Sequence, residues 1–134
     1  MPGISIFFPV YNDEHTIGTL VNEAIKTVEL LTNDYEIIII NDASQDNSAK
    51  ICDELCRQNE RIKVIHHHKN RDYGGALKSG FYYASKDLVF YTDADGQYDI
   101  GDLNKLLPFI KENDAIVGYK IKRSDPFFRV IIRN

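Results

Sequence analysis

Two aspartates, Asp93 and Asp95, stand one residue apart directly after the apolar run Leu88–Tyr91. That run predicts a buried strand that ends at Thr92. Ionised carboxylates are costly to bury unless they are paired or bind a cation, so core packing gives no reason for two acids here. A hard divalent cation needs such oxygen ligands. The pattern therefore predicts a site for a metal and a diphosphate at the edge of a sheet.

Apolar runs and helical spacing predict the elements that position these aspartates. The other predicted strands are Ile4–Phe8, Glu36–Ile40, Ile62–His66 and Ala115–Tyr119. Apolar residues recur at helical spacing between the runs, so a helix is expected between successive strands. Strands that alternate with helices predict a doubly wound α/β fold, with a mainly parallel sheet and helices on both faces. The length of 134 residues leaves room for one domain.

Polar segments follow four of the predicted strands, and a parallel sheet brings them to one edge. They are Pro9–Tyr11, Asn41–Asp42, the loop that starts at Asn70, and Asp93–Asp95. Open α/β sheets bind ligands at this edge, so we expect the four segments to form one site. The paired glycines Gly74 and Gly75, at a predicted helix start, suit the close approach of an anion. A tight turn explains the pair equally well.

Other conspicuous residues have structural explanations. Asp13 and Glu14 are expected in the first turn of a helix, where acids interact favourably with the helix dipole. Asp99 is expected to cap a later helix, and Gly80 is expected to allow close packing. Neighbouring side chains of the extended run His66–His68 point to opposite faces, which argues against a metal site there.

Cysteine usage and charge narrow the possible functions. Cys52 and Cys56 match neither a CxxC nor a zinc pattern, which predicts half-buried free thiols in a reducing cytoplasm. The net charge of −4 argues against a nucleic-acid partner. Residues 120–134 contain five basic residues and one acid, so this basic tail carries +4 and residues 1–119 carry −8. Such a tail suits a phosphate-bearing partner or is a solvated end. With no signal peptide or spanning segment recognisable, we expect a cytoplasmic protein with at most peripheral membrane contact.

Five segments together resemble family 2 glycosyltransferases of the GT-A fold, the nucleotide-diphospho-sugar transferase type. They are Pro9–Asn12, Asn41–Asp46, Asn70–Gly80, Asp93–Asp99 and Gly118–Pro126. The resemblance covers nearly the whole chain and is greatest to the dolichyl-phosphate mannosyltransferase and polyprenyl-phosphate glycosyltransferase branch. It implies that residues 1–134 form one nucleotide-sugar-binding domain, a truncated N-terminal part. The basic tail, residues 120–134, would then lead to acceptor-binding elements.

The resemblance also implies site residues. Asp93 and Asp95 would hold Mg²⁺ or Mn²⁺ against the diphosphate, and Asp42 would accept hydrogen bonds from the base or ribose. The implied catalytic residues are Asp93, Asp95, Gln97 and Arg123, with Gln97 beside the metal and the acceptor. Basic residues near the phosphates would be Lys120, Arg123 and Arg129. The implied donor-binding residues are Pro9, Tyr11, Glu14, Asp42, Asn70, Gly74, Lys78, Asp93, Ala94 and Asp95.

Three positions bear on the family pattern. The family often has Asp where this chain has Asn41, although Asn is also common there. Asp72 stands where the family usually has glycine, which bears on the backbone conformation of that loop and on the charge near the donor. Lys120 stands where arginine is usual, and this replaces a bidentate fork with a point charge.

The implied activity is a metal-dependent, inverting transfer of a sugar from a UDP- or GDP-linked donor. The expected acceptor is a polyprenyl or dolichyl phosphate at the cytoplasmic face of the membrane. A lipid phosphate oxygen is already anionic and needs no strong base, whereas a sugar hydroxyl needs one, and the sequence shows no clear candidate. Two alternatives stay open. One is transfer to a sugar hydroxyl in cell-surface polysaccharide synthesis, and the other is donor binding without turnover.

Other protein classes fit the pattern less well. A haloacid-dehalogenase-type phosphatase carries its DxD on the first strand, whereas Asp93 follows the fourth. An EF-hand loop requires Gly and Glu where this chain has Tyr98 and Asn104. A dinucleotide-binding dehydrogenase requires glycines after the first strand. A receiver-type signalling domain requires an acidic pair at that place, where this chain has Pro9–Asn12.

Overall fold

The computed structural model of the chain describes residues 2–96, 99–119 and 128–133. The strands are β1 (Ile4–Val10), β2 (Tyr35–Asn41), β3 (Ile62–His66), β4 (Leu88–Tyr91), β5 (Ala115–Tyr119) and β6 (Phe128–Arg133). The helices are α1 (Ile17–Glu29), α2 (Ser48–Gln58), α3 (Asp72–Tyr83) and α4 (Leu103–Leu106). Two 3-10 helical turns, Ile100–Asp102 and Leu107–Phe109, flank α4. The predicted alternation of strands and helices is confirmed as far as β5.

The strands form one sheet in the order β3-β2-β1-β4-β6-β5. The first four strands in the chain are parallel, and β6 runs antiparallel to both of its neighbours. In the register of the parallel part, Val10 pairs with Asn41 and Phe7 pairs with Tyr91. The carboxyl ends of β1, β2 and β4 therefore lie side by side, and the polar loops that follow them meet at one edge. The predicted mainly parallel α/β fold is confirmed.

Strand β6 was not predicted from the sequence. Its residues belong to the segment 120–134, which was interpreted as a basic tail from its five basic residues, and two of these, Arg129 and Arg133, lie in the strand. In the structure β6 lies between β4 and β5, and Ile131 in its middle is fully buried. The Arg133 guanidinium donates a hydrogen bond to the carbonyl oxygen of Ile110. Pairing with β4 and β5 thus places a segment that carries two arginines inside the sheet.

Each face of the sheet carries its own core, because strands without polar alternation must be covered on both sides. On one face α1 and α2 pack against residues such as Phe8. On the other face α3 packs against Phe7 and Ile38. Cys52 and Cys56 are free thiols, as predicted, but only Cys56 is half-buried, since Cys52 is fully buried in the first core.

Helix α3 approaches β1 closely because Gly80 has no side chain. A Cβ atom at Gly80 would lie 2.3 Å from the ring of Phe7. That ring stacks on Tyr91 and packs edge-on against Phe81, with centroid distances of 5.1 Å in both cases. The predicted packing role of Gly80 is confirmed, and the contact fixes the position of α3 at the edge of the sheet where the polar loops meet.

The helix starts differ from the predictions. α1 begins at Ile17 and has no acid in its first turn, so the helix-dipole interpretation of Asp13 and Glu14 is wrong. Both residues belong to the loop that precedes the helix. Asp99 does act as a cap, since its side chain accepts a hydrogen bond from the Gly101 N–H at 2.8 Å, but it caps a 3-10 turn.

A buried carboxylate at the opposite end of the sheet links three segments of the chain. Glu36 accepts hydrogen bonds from Ser5 Oγ at 2.7 Å, from Lys63 Nζ at 2.7 Å and from the Ser85 main-chain N–H at 2.7 Å. Burial raises the pKa of Glu36, but the hydrogen bonds from Lys63, Ser5 and Ser85 outweigh it and lower the pKa to about 2. The ionised carboxylate is therefore part of what holds β1, β2 and the β4 entry together.

We expect Glu36→Gln to lower the free energy of unfolding at neutral pH by about 2 kcal/mol, because it removes hydrogen bonds to a charged acceptor. A folded-state pKa below the usual 4.5 means that the wild type loses stability as the pH falls from 4.5 towards 2. The Glu36→Gln variant should lose less stability than the wild type as the pH falls from 4.5 towards 2. Urea unfolding across the pH series measures both effects. The exposed Glu60→Gln serves as the control, and an equal effect of the two variants would contradict the prediction.

Candidate functional site

A cleft of about 450 Å³ opens at the carboxyl edge of the parallel strands. Its walls come from the segments that follow β1, β2, β3 and β4, as the sequence predicts. The residues that line it are Pro9, Val10, Tyr11, Asp13, Asp42, Asn70, Asp72, Tyr73, Ala76, Asp93, Ala94 and Asp95. The four polar segments therefore form one site, which is the arrangement expected for a ligand at the edge of an open α/β sheet.

Negative charge dominates this cleft. Five of its lining residues are aspartates, and no lysine or arginine lines it among the residues that the structure describes. Carboxylates held close together in a partly buried cleft repel one another, because each disfavours the charged form of its neighbours. The cleft is therefore suited to a cation, or to a ligand that arrives with one.

Asp93 and Asp95 lie at the end of β4 and share the cleft. Burial raises the pKa of Asp93, the hydrogen bond from Tyr73 lowers it, and the charge of Asp95 raises it further. The Tyr73 hydroxyl donates to Asp93 Oδ1 at 2.7 Å. The net shift of the Asp93 pKa is upward, so the surroundings of this carboxylate disfavour its charged form.

The turn that carries the two aspartates is tightly fixed. Ala94 between them is buried, and its carbonyl oxygen accepts a hydrogen bond from the Thr16 hydroxyl. Gly96 has a φ of +80°, which favours glycine, and a Cβ atom there would lie 3.3 Å from the Thr16 side chain. The turn is therefore attached to the start of α1, and this attachment sets the position of Asp95.

Asp13 is a lining residue that the sequence analysis missed, since it assigned the residue to a helix terminus. Burial raises the pKa of Asp13, and so do the charges of Asp95, Asp46 and Asp93, while the hydrogen bond from the Tyr11 N–H lowers it. That N–H donates to Asp13 Oδ2 at 3.0 Å. Asp13 thus adds a third interacting carboxylate beside the pair on β4. The sequence signal that could have identified Asp13 as a lining residue is its position in the polar turn directly after β1.

Five hydrogen bonds between side chains and main-chain N–H groups join the loops after β1 and β2. They run from Asn12 to Ser44 Oγ (3.0 Å), from Asp13 to Ser48 Oγ (2.9 Å), from Glu14 to Asp46 Oδ2 (3.2 Å), from Gln45 to Asn12 Oδ1 (2.8 Å) and from Asn47 to Glu14 Oε2 (3.2 Å). Asn12 and Ala43 both have positive φ, at 55° and 59°. Such conformations persist only where the surroundings hold them. The two loops therefore form one rigid wall.

The loop after β3 and the first turn of α3 form another wall of the cleft. Asp72, at the position where the family usually has glycine, has a φ of 62°, which lies in the left-handed region. It lines the cleft together with Tyr73. Gly74 and Gly75 lie inside α3 and do not line the cleft.

The structure brings together seven of the predicted donor-binding residues: Pro9, Tyr11, Asp42, Asn70, Asp93, Ala94 and Asp95. Glu14, Gly74 and Lys78 do not line the cleft, and Glu14 instead belongs to the rigid wall. Gln97, Lys120 and Arg123 lie outside the described residues. Arg129 lies in β6.

The chemistry of the cleft fits a divalent cation that arrives with its ligand. Asp93 and Asp95 supply hard carboxylate oxygens. In the described part of the chain, no group of three or more His, Cys, Asp or Glu residues could hold a metal ion by itself. Mg²⁺ is commonly bound through one or two carboxylates, with phosphate and water completing its shell. The pair is therefore sufficient for a metal that a diphosphate also ligates.

The neighbouring histidines His66 and His67 contact different partners. His66 contacts Asn41 and Asp53, whereas His67 turns inward to Asp42. The helices described by the structure include none that is long and apolar enough to cross a membrane.

Comparison with known families and proteins identifies relatives of this chain. A family model described as "Glycosyl transferase family 2" matches residues 5–133. An undecaprenyl-phosphate 4-deoxy-4-formamido-L-arabinose transferase of Proteus mirabilis (strain HI4320) is 36% identical to this chain over 131 residues. The protein of the same name from Yersinia enterocolitica is 34% identical. Each match covers 94% of this chain and 39% of the relative, so the chain spans about two fifths of the relatives' length.

Solved structures confirm the fold. S. aureus TarS 1-349 superposes with a TM-score of 0.72 and 24% identity, over 93% of this chain and 38% of that one. The same protein in complex with UDP gives a TM-score of 0.70 and 23% identity, with the same coverage. Mannosyltransferase PcManGT from Pyrobaculum calidifontis, in complex with GDP-Man and Mn²⁺, gives 0.67 and 18% identity, over 91% of this chain and 36% of that one.

Because the carboxylates in the cleft repel one another, we expect Asp93 to lower the free energy of unfolding of the metal-free protein. Since the pKa of Asp93 is raised above its usual 3.8, the folded state binds more protons than the unfolded chain in the window between the two values. The stability from this residue therefore falls as the pH rises through that window. At neutral pH we expect Asp93→Asn to raise the free energy of unfolding by about 1 kcal/mol.

Urea unfolding in the presence of a chelator measures this effect. The matched control is Asp87→Asn, an exposed aspartate before the start of β4, which should change stability by less than about 0.5 kcal/mol. A loss of stability in Asp93→Asn would show that the carboxylate supports the fold instead of the site.

Proposed function

Because the chain belongs to glycosyl transferase family 2, we propose that its cleft binds the nucleoside diphosphate part of a nucleotide-sugar donor. The complete protein then transfers the sugar to an acceptor, which we propose is a polyprenyl phosphate. The observation that carries this proposal is the pair Asp93 and Asp95 in an acidic cleft at the carboxyl edge of the sheet. A diphosphate would bind weakly in such a cleft by itself, so it requires a cation between its oxygens and the aspartates.

We propose Asp93 and Asp95 as the residues that hold Mg²⁺ or Mn²⁺. When bound, the metal supplies positive charge that neutralises the diphosphate as it leaves the sugar. The Tyr73 hydroxyl donates to one oxygen of Asp93, and the hydrogen bond from Thr16 to the Ala94 carbonyl attaches the turn that carries Asp95 to the start of α1. The complex of PcManGT with GDP-Man and Mn²⁺ supports divalent metal use in this fold.

The nucleoside lies, in this proposal, against the wall formed by the ends of β1 and β2. Tyr11 and Tyr73 line the cleft and are each about half exposed, so their rings are available to a base. Asp42 offers a carboxylate oxygen to the base or the ribose. The complexes of TarS with UDP and UDP-GlcNAc support a nucleoside diphosphate as the ligand class.

The names of the relatives support a lipid-phosphate acceptor, because both act on undecaprenyl phosphate. An acceptor phosphate oxygen is anionic and can attack the anomeric carbon from the face opposite the leaving diphosphate, which inverts the centre without a strong base. This acceptor would place the protein at the cytoplasmic face of a membrane, where nucleotide donor and lipid meet. The runner-up is transfer to a sugar hydroxyl of a cell-surface polysaccharide, for which a carboxylate base such as one in this acidic cleft would be needed.

Calorimetric titration of UDP and GDP, with and without Mn²⁺, tests donor binding. We expect one of the two nucleotides to bind in a metal-dependent manner, and Asp95→Ala to weaken that binding at least about tenfold, or 1.4 kcal/mol. Asp87→Ala, which removes an exposed aspartate before the start of β4, should leave it unchanged. Metal-independent binding that Asp95→Ala does not alter would overturn the metal site.

Transfer assays separate the acceptor classes. The assay uses a protein as long as the relatives. Its donor is a sugar linked to whichever nucleotide the calorimetry shows to bind. Its acceptor is either undecaprenyl phosphate or an oligosaccharide. Product on the lipid phosphate alone supports the proposal, and product on the oligosaccharide alone favours the runner-up. Turnover in the longer protein, combined with binding and no turnover in residues 1–134, would assign this chain to donor binding only.

A further inference from the structure

His67 is buried beneath the cleft and does not line it, yet it is hydrogen-bonded to a residue that does. Its Nδ1 atom lies 2.8 Å from Asp42 Oδ1, and its Nε2 atom lies 2.7 Å from Ser79 Oγ. The side chains of His67 and Asp42 are only 2% and 5% exposed. The three residues come from the ends of β2 and β3 and from the middle of α3. One histidine thus connects the wall of the cleft to the helix behind it.

The chemistry of these groups sets the direction of the hydrogen bonds. A carboxylate oxygen only accepts, so His67 Nδ1 carries the hydrogen and donates it to Asp42. In the neutral ring Nε2 then accepts from the Ser79 hydroxyl. The two hydrogen bonds therefore fix the orientation of the ring and keep Nδ1 directed at Asp42.

Asp42 is further held by main-chain groups. Its own N–H donates to the Val10 carbonyl at 2.9 Å, and the Arg71 N–H donates to Asp42 Oδ1 at 2.8 Å. Both hydrogen bonds to the carboxylate use Oδ1, so Oδ2 is the oxygen that a ligand in the cleft can meet. Of these two hydrogen bonds to the carboxylate, the one from His67 comes from a side chain, so it can be removed by substitution without altering the main chain. Asn70 Nδ2 also donates to Asp42, at 3.3 Å, but to its main-chain carbonyl.

We propose that His67 is a positioning residue for the nucleoside part of the donor. It holds the Asp42 carboxylate so that Oδ2 accepts a hydrogen bond from a ribose hydroxyl or a base N–H. This inference rests on the proposed function and goes beyond it, because it assigns nucleoside recognition to a residue that does not touch the ligand. Asp93 and Asp95 follow a different strand, so the loss of His67 should spare the metal and the diphosphate.

The test compares a nucleotide with inorganic pyrophosphate as ligands of the 134-residue chain, each with Mn²⁺, by calorimetry. The nucleotide is whichever of UDP and GDP the wild type binds. We expect His67→Leu to weaken nucleotide binding about tenfold, the effect of one charge-assisted hydrogen bond, and to leave pyrophosphate binding unchanged. A merely structural role would weaken both ligands equally.

Two polar variants keep the test decisive if His67→Leu fails to fold. The amide nitrogen of His67→Asn takes the position of Nδ1 and can donate to Asp42. The longer His67→Gln places its amide nitrogen near Nε2, on the side of Ser79. Nucleotide affinity retained in the Asn variant and lost in the Gln variant supports the proposal, with thermal unfolding used to verify that both variants fold.

Three outcomes overturn the inference. They are unchanged nucleotide affinity in His67→Leu, equal losses for nucleotide and pyrophosphate, and equal behaviour of the Asn and Gln variants. If the wild type binds the nucleotide, each of these three outcomes rejects the role of His67 and leaves the proposed function standing. A wild type that binds neither UDP nor GDP rejects the proposed function as well.

Discussion

Repulsion among carboxylates is the constraint on which this site depends. Five aspartates line one cleft, and the pKa values of Asp13 and Asp93 are raised by burial and by neighbouring negative charges. A flexible edge would relieve this repulsion by moving the carboxylates apart. The hydrogen bonds around the cleft oppose that movement and keep the carboxylates close together. In the proposed function, the cation that accompanies the diphosphate relieves the repulsion.

The scaffold resists the repulsion through bonds that lie outside the cleft. The wall after β1 and β2 is joined by five side-chain to main-chain hydrogen bonds, and the turn after β4 is attached to Thr16 at the start of α1. On the far side, the close approach of Gly80 to Phe7 fixes α3 and, with it, Tyr73 beside Asp93. Most of these residues touch no ligand in the proposed function. They keep the groups that do close together, against their mutual repulsion.

The errors of the sequence analysis share one physical origin, which is that local pattern does not report which loops meet. Asp13 and Glu14 are adjacent acids that look equivalent in sequence, but Asp13 lines the cleft while Glu14 contacts the loop after β2. The segment Phe128–Arg133 looked like a charged tail, although its pairing with β4 and β5 makes it an inner strand. His67 was considered only as a possible metal ligand, and only the return of α3 over the sheet brings Ser79 to it.

The sequence by itself determined the class of fold and the place of the site. Unbroken β-branched runs require covering on both faces, and polar residues after parallel strands must share an edge, so Asp42, Asp93 and Asp95 could be placed together in advance. Tertiary structure alone decided which acids face the cleft, where β6 enters the sheet and what holds Asp42 in position. Those outcomes depend on contacts between residues far apart in the chain, such as Asp42 with His67 and Thr16 with Ala94. Such contacts follow from strand order and loop closure and have no signature in local composition.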